Sequence, residues 1–185
     1  MDKFLSEVQM KQLLEIARKT IILHVREGKV LEPEVKDEAL SEVRGVFVTL
    51  RKQGRLRGCI GNIVGREPLY CGVRNMAIAA SCEDPRFRPV EEDELDQLEI
   101  EISVLSPLKK ISAAEEIELG RHGVLVQGRG RSGVYLPQVA AETGWSKEEF
   151  LTSLCSQKAG LASDAWRTGQ AELYVFSCQV FKEKS

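Results

Sequence analysis

The sequence lacks the features that mark several large classes of protein. No apolar run approaches the length of about 18 residues that a membrane-spanning helix requires, so no segment is predicted to cross a membrane. No internal period indicates tandem repeats. The formal net charge is only −2, which gives no electrostatic reason to expect nucleic acid. We therefore expect neither a membrane nor a nucleic acid among its partners.

Cysteine is present, but not in a pattern that indicates a bridge or a metal site. The five cysteines are an odd number, no two of them have CxxC spacing, and there are only two histidines. The N-terminus leads into an amphipathic pattern rather than an apolar signal segment. We expect reduced thiols in a soluble, cytoplasmic protein, with no disulfide, metal or cofactor.

The composition is that of an ordinary globular chain. Of the 185 residues, 43% are hydrophobic and 29% are charged. A chain of this length buries roughly 70% of the surface that its unfolded form exposes, so it can fold without a disulfide or a structural metal. We predict one domain over residues 1–185.

Helical spacing of apolar residues indicates three principal helices. Ser6 and Gln9 form a capping-box pattern at the start of the first helix, and Gly28 is a natural residue just beyond its end. Pro68 is expected at the first position of the second helix. The predicted helices cover about Glu7 to Glu27, Pro68 to the residues before Asp84, and Ser146 to about Gln157.

Alternating and β-branched segments indicate at least six strands. They are Val46–Leu50, Leu56–Ile60, Leu98–Val104, Val124–Val126, Val134–Leu136 and Leu173–Phe181. Residues 52–55 and 128–133 are typical of hairpin loops. Because hairpins join several strands and no regular βαβ repeat is present, we predict an α+β fold. Its sheet is expected to be mixed, largely antiparallel and flanked by helices.

The densest chemical signal is the segment Leu56-Arg57-Gly58-Cys59-Ile60-Gly61. Gly58 and Gly61 permit tight turns or the close approach of a ligand. In a regular strand Arg55 and Arg57 would point to the same side as Cys59, and nearby positive charge makes a thiol more nucleophilic. Cys59 is thus either a reactive thiol or a small side chain packed in a glycine-rich strand.

Three other segments can carry function. Asp84 and Arg86 lie in a proline-stiffened loop, where an arginine can bind a carboxylate or phosphate or pair locally. His122, between glycines, suits acid–base chemistry or is merely exposed. The 128–133 loop can hold a phosphate through backbone N–H groups, but it lacks the lysine and the strand–loop–helix context of a P-loop.

These motifs together resemble the AMMECR domain family. The resemblance begins with Gly45 to Leu50 and the segment from Leu56 to Gly61. It continues through Ala79-Ala80, Asp84 to Phe87, Pro89-Val90, Ile102 to Leu105, Gly120 to Gly123, Leu136 to Ala140, Trp145 and Lys158 to Leu161. The resemblance implies an α+β fold with a larger lobe containing both termini and a smaller lobe. It further implies a three-part system with a Memo-like protein and a radical SAM protein, and no assigned reaction.

Two hypotheses follow for the function. The first is an enzyme in which Cys59 and His122 are catalytic, with Arg57, Gly58, Gly61, Asp84 and Arg86 binding the substrate. The second is a binding or adaptor module that presents a small-molecule or peptide ligand to the Memo-like or radical SAM partner. Both predict that Arg57, Cys59, Asp84, Arg86 and His122 lie together at a cleft. Of the five cysteines, only Cys59 has both flanking glycines and nearby arginines, so the others are interpreted as packing residues.

Overall fold

The computed structural model describes residues 4–183, which fold into two compact units. The first unit takes residues up to Leu105 together with those from Gln179 onward, and the second spans Ser106–Cys178. Each unit has its own hydrophobic core. The α+β class is confirmed, but the strands form two four-stranded sheets rather than one.

The secondary structure has five α-helices and eight strands within the described residues. The helices are α1 Glu7–Glu27, α2 Glu38–Ser41, α3 Leu69–Cys82, α4 Pro137–Thr143 and α5 Lys147–Ser153. The strands are β1 Val46–Lys52, β2 Arg55–Asn62, β3 Leu98–Leu105, β4 Lys109–Ile111, β5 Gly123–Gly128, β6 Arg131–Tyr135, β7 Glu172–Phe176 and β8 Cys178–Lys182. Short 3-10 helices occupy Glu92–Gln97 and Ala114–Glu116, and a π-helical turn occupies Leu154–Lys158. No helix within residues 4–183 is long and apolar enough to cross a membrane.

The first sheet has the strand order β2-β1-β3-β8, and β1 is antiparallel to both of its neighbours. Alternate residues of β1 point to opposite faces, which gives the sheet one core-facing side. Val46, Val48 and Leu50 are buried in the same core as side chains of α1 and α3. Thr49 alternates with them and therefore faces the other side of the sheet.

The first helix has the predicted bounds because its caps form as the sequence indicates. The Ser6 hydroxyl accepts from the Gln9 N–H, and the Gln9 side chain accepts from the Ser6 N–H. Gly28 follows the helix with a φ of 65°, in the left-handed region that glycine tolerates.

The second sheet has the order β4-β7-β5-β6, with every pair antiparallel. Its core contains Val124, Val126 and Phe150. The β5–β6 hairpin confirms the turn predicted within residues 128–133.

Three details of the predicted elements are wrong. Pro68 stands at the N-cap of α3 rather than at its first helical position. The helix that begins at Ser146 changes after Ser153 to a π-helical turn. The predicted strand Leu173–Phe181 is two strands in different sheets, because the Ser177 N–H and C=O bond to Ser106 between them.

Candidate functional site

The segment around Cys59 forms β2, an edge strand of the first sheet. Leu50 pairs with Gly58, but Arg51 pairs with Leu56, so Arg57 is an extra residue in a β-bulge. An extra residue shifts the alternation of side chains, which places Arg55 on the opposite face from Cys59. The expectation that Arg55 shares a side with Cys59 is therefore wrong.

Both glycines of this segment are required by packing inside the first unit. A Cβ on Gly58 would lie 2.1 Å from the carbonyl oxygen of Ala80, near the end of α3. A Cβ on Gly61 would lie 2.3 Å from the Phe47 ring on the neighbouring strand. Gly58 thus lets α3 approach β2 closely, and that approach brings the residues after α3 to the edge of the strand. Ligand binding by Gly58 and Gly61 stays a prediction.

Asp84 and Arg86 cover the outer edge of β2 at Cys59. The Cys59 N–H donates to Asp84 Oδ2 over 2.9 Å, and the Cys59 carbonyl accepts from Arg86 Nη2 over 3.4 Å. An edge strand has outward-facing peptide groups that need partners from elsewhere in the fold. The Asp84–Arg86 pair provides those partners, as a neighbouring strand would.

The turn after α3 holds this pair in place. Asp84 Oδ1 accepts from the backbone N–H of Arg86 at 3.1 Å, and the Asp84 carbonyl accepts from the Phe87 N–H at 3.1 Å. Asp at the first position of a turn and Pro85 at the second favour this geometry. The Arg86 side chain then donates to the same carboxylate through Nε at 3.0 Å and Nη2 at 2.8 Å.

Asp84 is a buried anion with a complete set of donors. Its side chain is 2% exposed, whereas that of Arg86 is 55% exposed. Hydrogen bonds from the Arg86 guanidinium, and secondarily from the Cys59 and Arg86 N–H groups, hold the pKa of the Asp84 carboxyl well below its ordinary value of 3.8. Asp84 therefore stays ionised and anchors Arg86.

The Cys59 sulphur lies on the face of the sheet that carries Thr49. The two residues are cross-strand partners, and Thr49 Oγ1 donates to Cys59 Sγ over 3.2 Å. Within the described part of the first unit, the sulphur makes no other side-chain hydrogen bond. The thiol is partly exposed and oriented by a hydroxyl, and no histidine or carboxylate among residues 4–183 is hydrogen-bonded to it.

Arg57 belongs to a second cluster, centred on Glu94 in the Glu92–Gln97 helix. It makes a two-pronged ion pair, with Nε 3.0 Å from Glu94 Oε1 and Nη2 2.8 Å from Glu94 Oε2. Its remaining donors reach the carbonyls of Arg88 at 2.9 Å and Pro89 at 3.2 Å. Lys52 Nζ also donates to Glu94, at 2.9 Å. Arg57 thereby uses four of its five N–H donors to join the bulge to the segment after α3, and substrate binding by it stays a prediction.

The Glu94 carboxyl is correspondingly stabilised as an anion. Hydrogen bonding from Arg57, followed by that from Lys52, lowers its pKa from 4.5 to about 2. Neither Glu94 nor Thr49 was singled out from the sequence. Glu94 lies in an acidic run without distinctive spacing, whereas Thr49 is the polar residue inside the apolar run 46–50, which is a signal of a polar contact on one face of the strand.

His122 belongs to the second unit, in the turn before β5. Its Nδ1 accepts from the Glu118 N–H over 3.1 Å, and its backbone N–H donates to the Glu118 carbonyl over 2.9 Å. The structure therefore brings Cys59, Asp84 and Arg86 together, with Arg57 two residues away on the same strand. The proximity of His122 to them stays a prediction.

The five cysteines are all unbridged, and exposure alone does not single out Cys59. Cys155 is buried, as its packing interpretation requires, but Cys71, Cys82 and Cys178 are partly exposed like Cys59. Burial raises the pKa of the Cys82 and Cys155 thiols. Among residues 4–183, no three His, Cys, Asp or Glu side chains are grouped to hold a metal ion.

Comparison with known proteins identifies the family. The AMMECR1 family profile matches residues 14–181, so this chain belongs to the AMMECR1 family. It is 44% identical to protein MK0488 of Methanopyrus kandleri over 181 residues, covering 93% of this chain and 87% of that protein. It is 43% identical to protein Mbar_A1807 of Methanosarcina barkeri, covering 97% and 93%. The crystal structure of the uncharacterised protein PH0010 from Pyrococcus horikoshii is similar with a TM-score of 0.83 and 38% identity, covering 94% of this chain and 90% of that one.

Proposed function

We propose that this AMMECR1-family chain is a binding module, and that the surface formed by Cys59 and Arg86 takes an anionic group of a small molecule or peptide. The observation that carries the proposal is the state of Arg86. Its guanidinium is fixed through Nε and Nη2 to a buried carboxylate, yet the side chain remains 55% exposed. A fixed, exposed guanidinium loses little conformational entropy when it binds an oxyanion.

The remaining donor of Arg86 is positioned for that role. Nη1 makes no hydrogen bond to the described residues, while the other nitrogens and the Cys59 peptide are held by Asp84. Because Asp84 offsets the positive charge, affinity must come from directed hydrogen bonds rather than from long-range attraction. The proposal therefore favours a ligand that also contacts the neutral surface around the Cys59 thiol.

Catalysis by Cys59 is the second candidate function. Two observations favour it: the thiol is partly exposed, and the Thr49 hydroxyl bonds to its sulphur at 3.2 Å. In this version Cys59 is the nucleophile or acceptor, and His122 is the acid–base group. The absence of an acid–base partner for the sulphur within the described part of the first unit ranks it below binding.

The family resemblance extends the proposal to partners. We propose that the ligand is shared with a Memo-like protein and a radical SAM protein, to which this chain presents it. Affinity purification of a tagged chain from cells that contain all three proteins is the direct measurement. Co-purification that requires Arg86 supports presentation of a bound ligand, and no co-purification of either protein counts against it.

The binding proposal is tested by extracting small molecules from the chain purified from cells. Wild type, Arg86→Gln and the control Arg88→Gln are denatured, and the released compounds are compared by mass spectrometry. Arg88 is an exposed arginine in the same loop, so its variant removes equal charge without touching Asp84. An anionic compound that is retained by wild type and Arg88→Gln but lost from Arg86→Gln is expected. Equal retention by all three chains would contradict the proposal.

One substitution at Cys59 separates binding from catalysis. Cys59→Ser keeps a side chain of similar shape that can still accept from Thr49, but its hydroxyl is a much weaker nucleophile than a thiol. If binding alone is the function, Cys59→Ser retains the compound. It also supports the activity of the proposed system that this chain forms with the Memo-like and radical SAM proteins. Loss of system activity with retained compound favours catalysis instead.

A further inference from the structure

The second unit contains a basic cavity that plays no part in the surface proposed above. It has a volume of about 270 Å³ and is lined by Arg129, Arg131, Gly160, Leu161, Ala162, Ala165 and Gln170. Ligand pockets commonly measure roughly 300–1,000 Å³, so this one suits a small ion or one end of a larger molecule. All of its lining residues lie within Ser106–Cys178.

The two arginines of this cavity differ electrostatically from Arg57 and Arg86. The latter are paired with Glu94 and Asp84. In contrast, Arg129 Nη2 donates to the neutral Gln170 Oε1 at 2.9 Å, and Arg131 Nη1 donates to the Gly160 carbonyl at 2.6 Å. Among residues 4–183 no carboxylate forms an ion pair with either guanidinium. Two positive charges therefore border one cavity without a counter-charge from the described chain.

The backbone around the cavity is built to hold these side chains. Arg129 and Gly130 form the two-residue loop between β5 and β6, with φ values of 50° and 73°. Positive φ at both positions is the pattern of a type I′ turn, in which asparagine or glycine is favoured and arginine is not. The Gln53–Gly54 turn has nearly the same pair of positive φ values, so the conformation fixes where the Arg129 side chain starts, and it is the cavity and its charges that indicate a site.

The segment that follows the π-helical turn Leu154–Lys158 supplies Gly160, Leu161 and Ala162 to the cavity lining. After this turn Gly160 adopts a φ of 63°, and a Cβ added to it would lie 3.3 Å from Arg131 Nη1. Glycine at this position thus leaves room for the guanidinium to lie against the backbone. Irregular helical turns of this kind frequently occur at functional sites.

From these observations we propose that the cavity bordered by Arg129 and Arg131 is an oxyanion-binding site for a phosphate or carboxylate group of a small molecule. Both guanidinium groups are anchored through single hydrogen bonds and have further N–H groups to offer. Their side chains, rather than a cradle of backbone N–H groups, make the site, because Gly128 and Arg131 are paired as strand partners at the hairpin end.

The proposal is tested by titrating the complete, ¹⁵N-labelled chain with sodium phosphate, pyrophosphate and succinate, followed by NMR at constant ionic strength. Saturable shifts are expected for the amides of Gly130, Gly160 and Ala162. Saturation by the phosphates alone assigns the site to phosphate groups, and saturation by succinate alone assigns it to carboxylates. Shifts that increase linearly and affect charged surfaces throughout the chain would overturn the proposal.

The decisive variant is Arg129→Asn, because it separates binding from folding. Asparagine suits the first position of a type I′ turn, so the thermal midpoint of the second unit should rise by about 1–2 °C. Loss of a charge-assisted contact should nevertheless weaken anion binding by about tenfold. The midpoint can be followed by tryptophan fluorescence, because Trp145 and Trp166 both lie in this unit.

Two controls complete the experiment. Arg121→Gln removes an equal charge from the other end of β5, where Arg121 pairs with Glu118, and should change the affinity by less than about twofold. Arg86→Gln, which tests the surface of the first unit, should leave this titration unchanged. Equal weakening by Arg121→Gln, or unchanged affinity in Arg129→Asn, refutes the site.

Discussion

Replacing Asp84 by asparagine isolates the contact on which the Cys59 surface depends. The substitution keeps the shape of the side chain but turns one acceptor oxygen into an NH₂ group, which cannot accept a hydrogen bond. In wild type, Oδ2 accepts from the Cys59 N–H at 2.9 Å and from Arg86 Nη2 at 2.8 Å. If asparagine keeps its oxygen at the Oδ1 position, both of these contacts are lost.

The two lost contacts contribute unequally to the free energy of unfolding. An N–H group at a covered strand edge that loses its acceptor costs about 1–3 kcal/mol. The Arg86 side chain is 55% exposed and can turn to water, so its ion pair adds at most about 1 kcal/mol. We expect Asp84→Asn to lower the free energy of unfolding of the first unit by about 1–4 kcal/mol. That change corresponds to a fall in Tm of roughly 2–16 °C for a chain of this size.

The assay must observe the first unit directly. Both tryptophans, Trp145 and Trp166, lie in the second unit, so intrinsic fluorescence would miss the effect. Hydrogen exchange of the Cys59 amide reports on the first unit. Urea unfolding followed by circular dichroism senses both units, so a transition that it detects and tryptophan fluorescence does not is assigned to the first unit. The amide should lose its protection in Asp84→Asn.

The matched control is Asp96→Asn, which changes an exposed aspartate in the same unit by the same chemistry. Its expected effect is within about 0.5 kcal/mol of wild type. If Asp84→Asn leaves both the unfolding free energy and the Cys59 amide unchanged, the carboxylate does not hold this strand edge, and the account of Arg86 positioning fails with it.

Three further predictions concern residues of the first unit, the last by comparison with Cys155 of the second unit. The pKa of Glu94 is lowered from 4.5 to about 2, so its contribution to stability is complete above pH 4.5 and is lost as the pH falls towards 2. The free energy of unfolding of wild type should therefore fall as the pH is lowered from 4.5 to 2. In Glu94→Gln, which lacks the titrating group, it should depend less on pH over that interval, and identical pH dependence in the two chains would contradict this. Gly58→Ala places a Cβ 2.1 Å from a helical carbonyl oxygen and should destabilise by about 2 kcal/mol or more, measured in urea. Gly72→Ala, whose Cβ is 3.1 Å from a side-chain methyl group, should change stability by less than about 1 kcal/mol, and equal effects would rule out the proposed close approach. Iodoacetamide should modify Cys59 faster than the buried Cys155, whose pKa is raised by burial; the reverse order would identify Cys59 as a packed thiol.

A helix or turn could be predicted from the sequence wherever the residues that determine it lie within or next to the segment itself. The helix from Glu7 to Glu27 has both caps in its sequence, Ser6 with Gln9 and then Gly28, and its bounds agree with the structure. The Gln53–Gly54 hairpin was equally local, since a glycine between two alternating segments supplies the turn.

The segment Leu173–Phe181 shows where local pattern stops being informative. Its apolar alternation continues through Ser177, yet the chain leaves one sheet there and enters the other. The cause is the bonding of Ser177 to Ser106, 71 residues earlier, which no local periodicity records.

By itself the sequence determined the α+β class, the position of most helices and strands, and the concentration of unusual residues around Cys59 and Asp84. These depend on contacts within a few residues, where periodicity, caps and turn chemistry decide. Only the tertiary structure decided what those residues do. It placed Arg57 in a bulge against Glu94 and made Asp84 the acceptor for the Cys59 edge, leaving the Arg86 guanidinium fixed but exposed. Such partners are 25 and 37 residues apart in the chain, and side-chain direction at a strand edge depends on what packs beside it rather than on the order of residues along it.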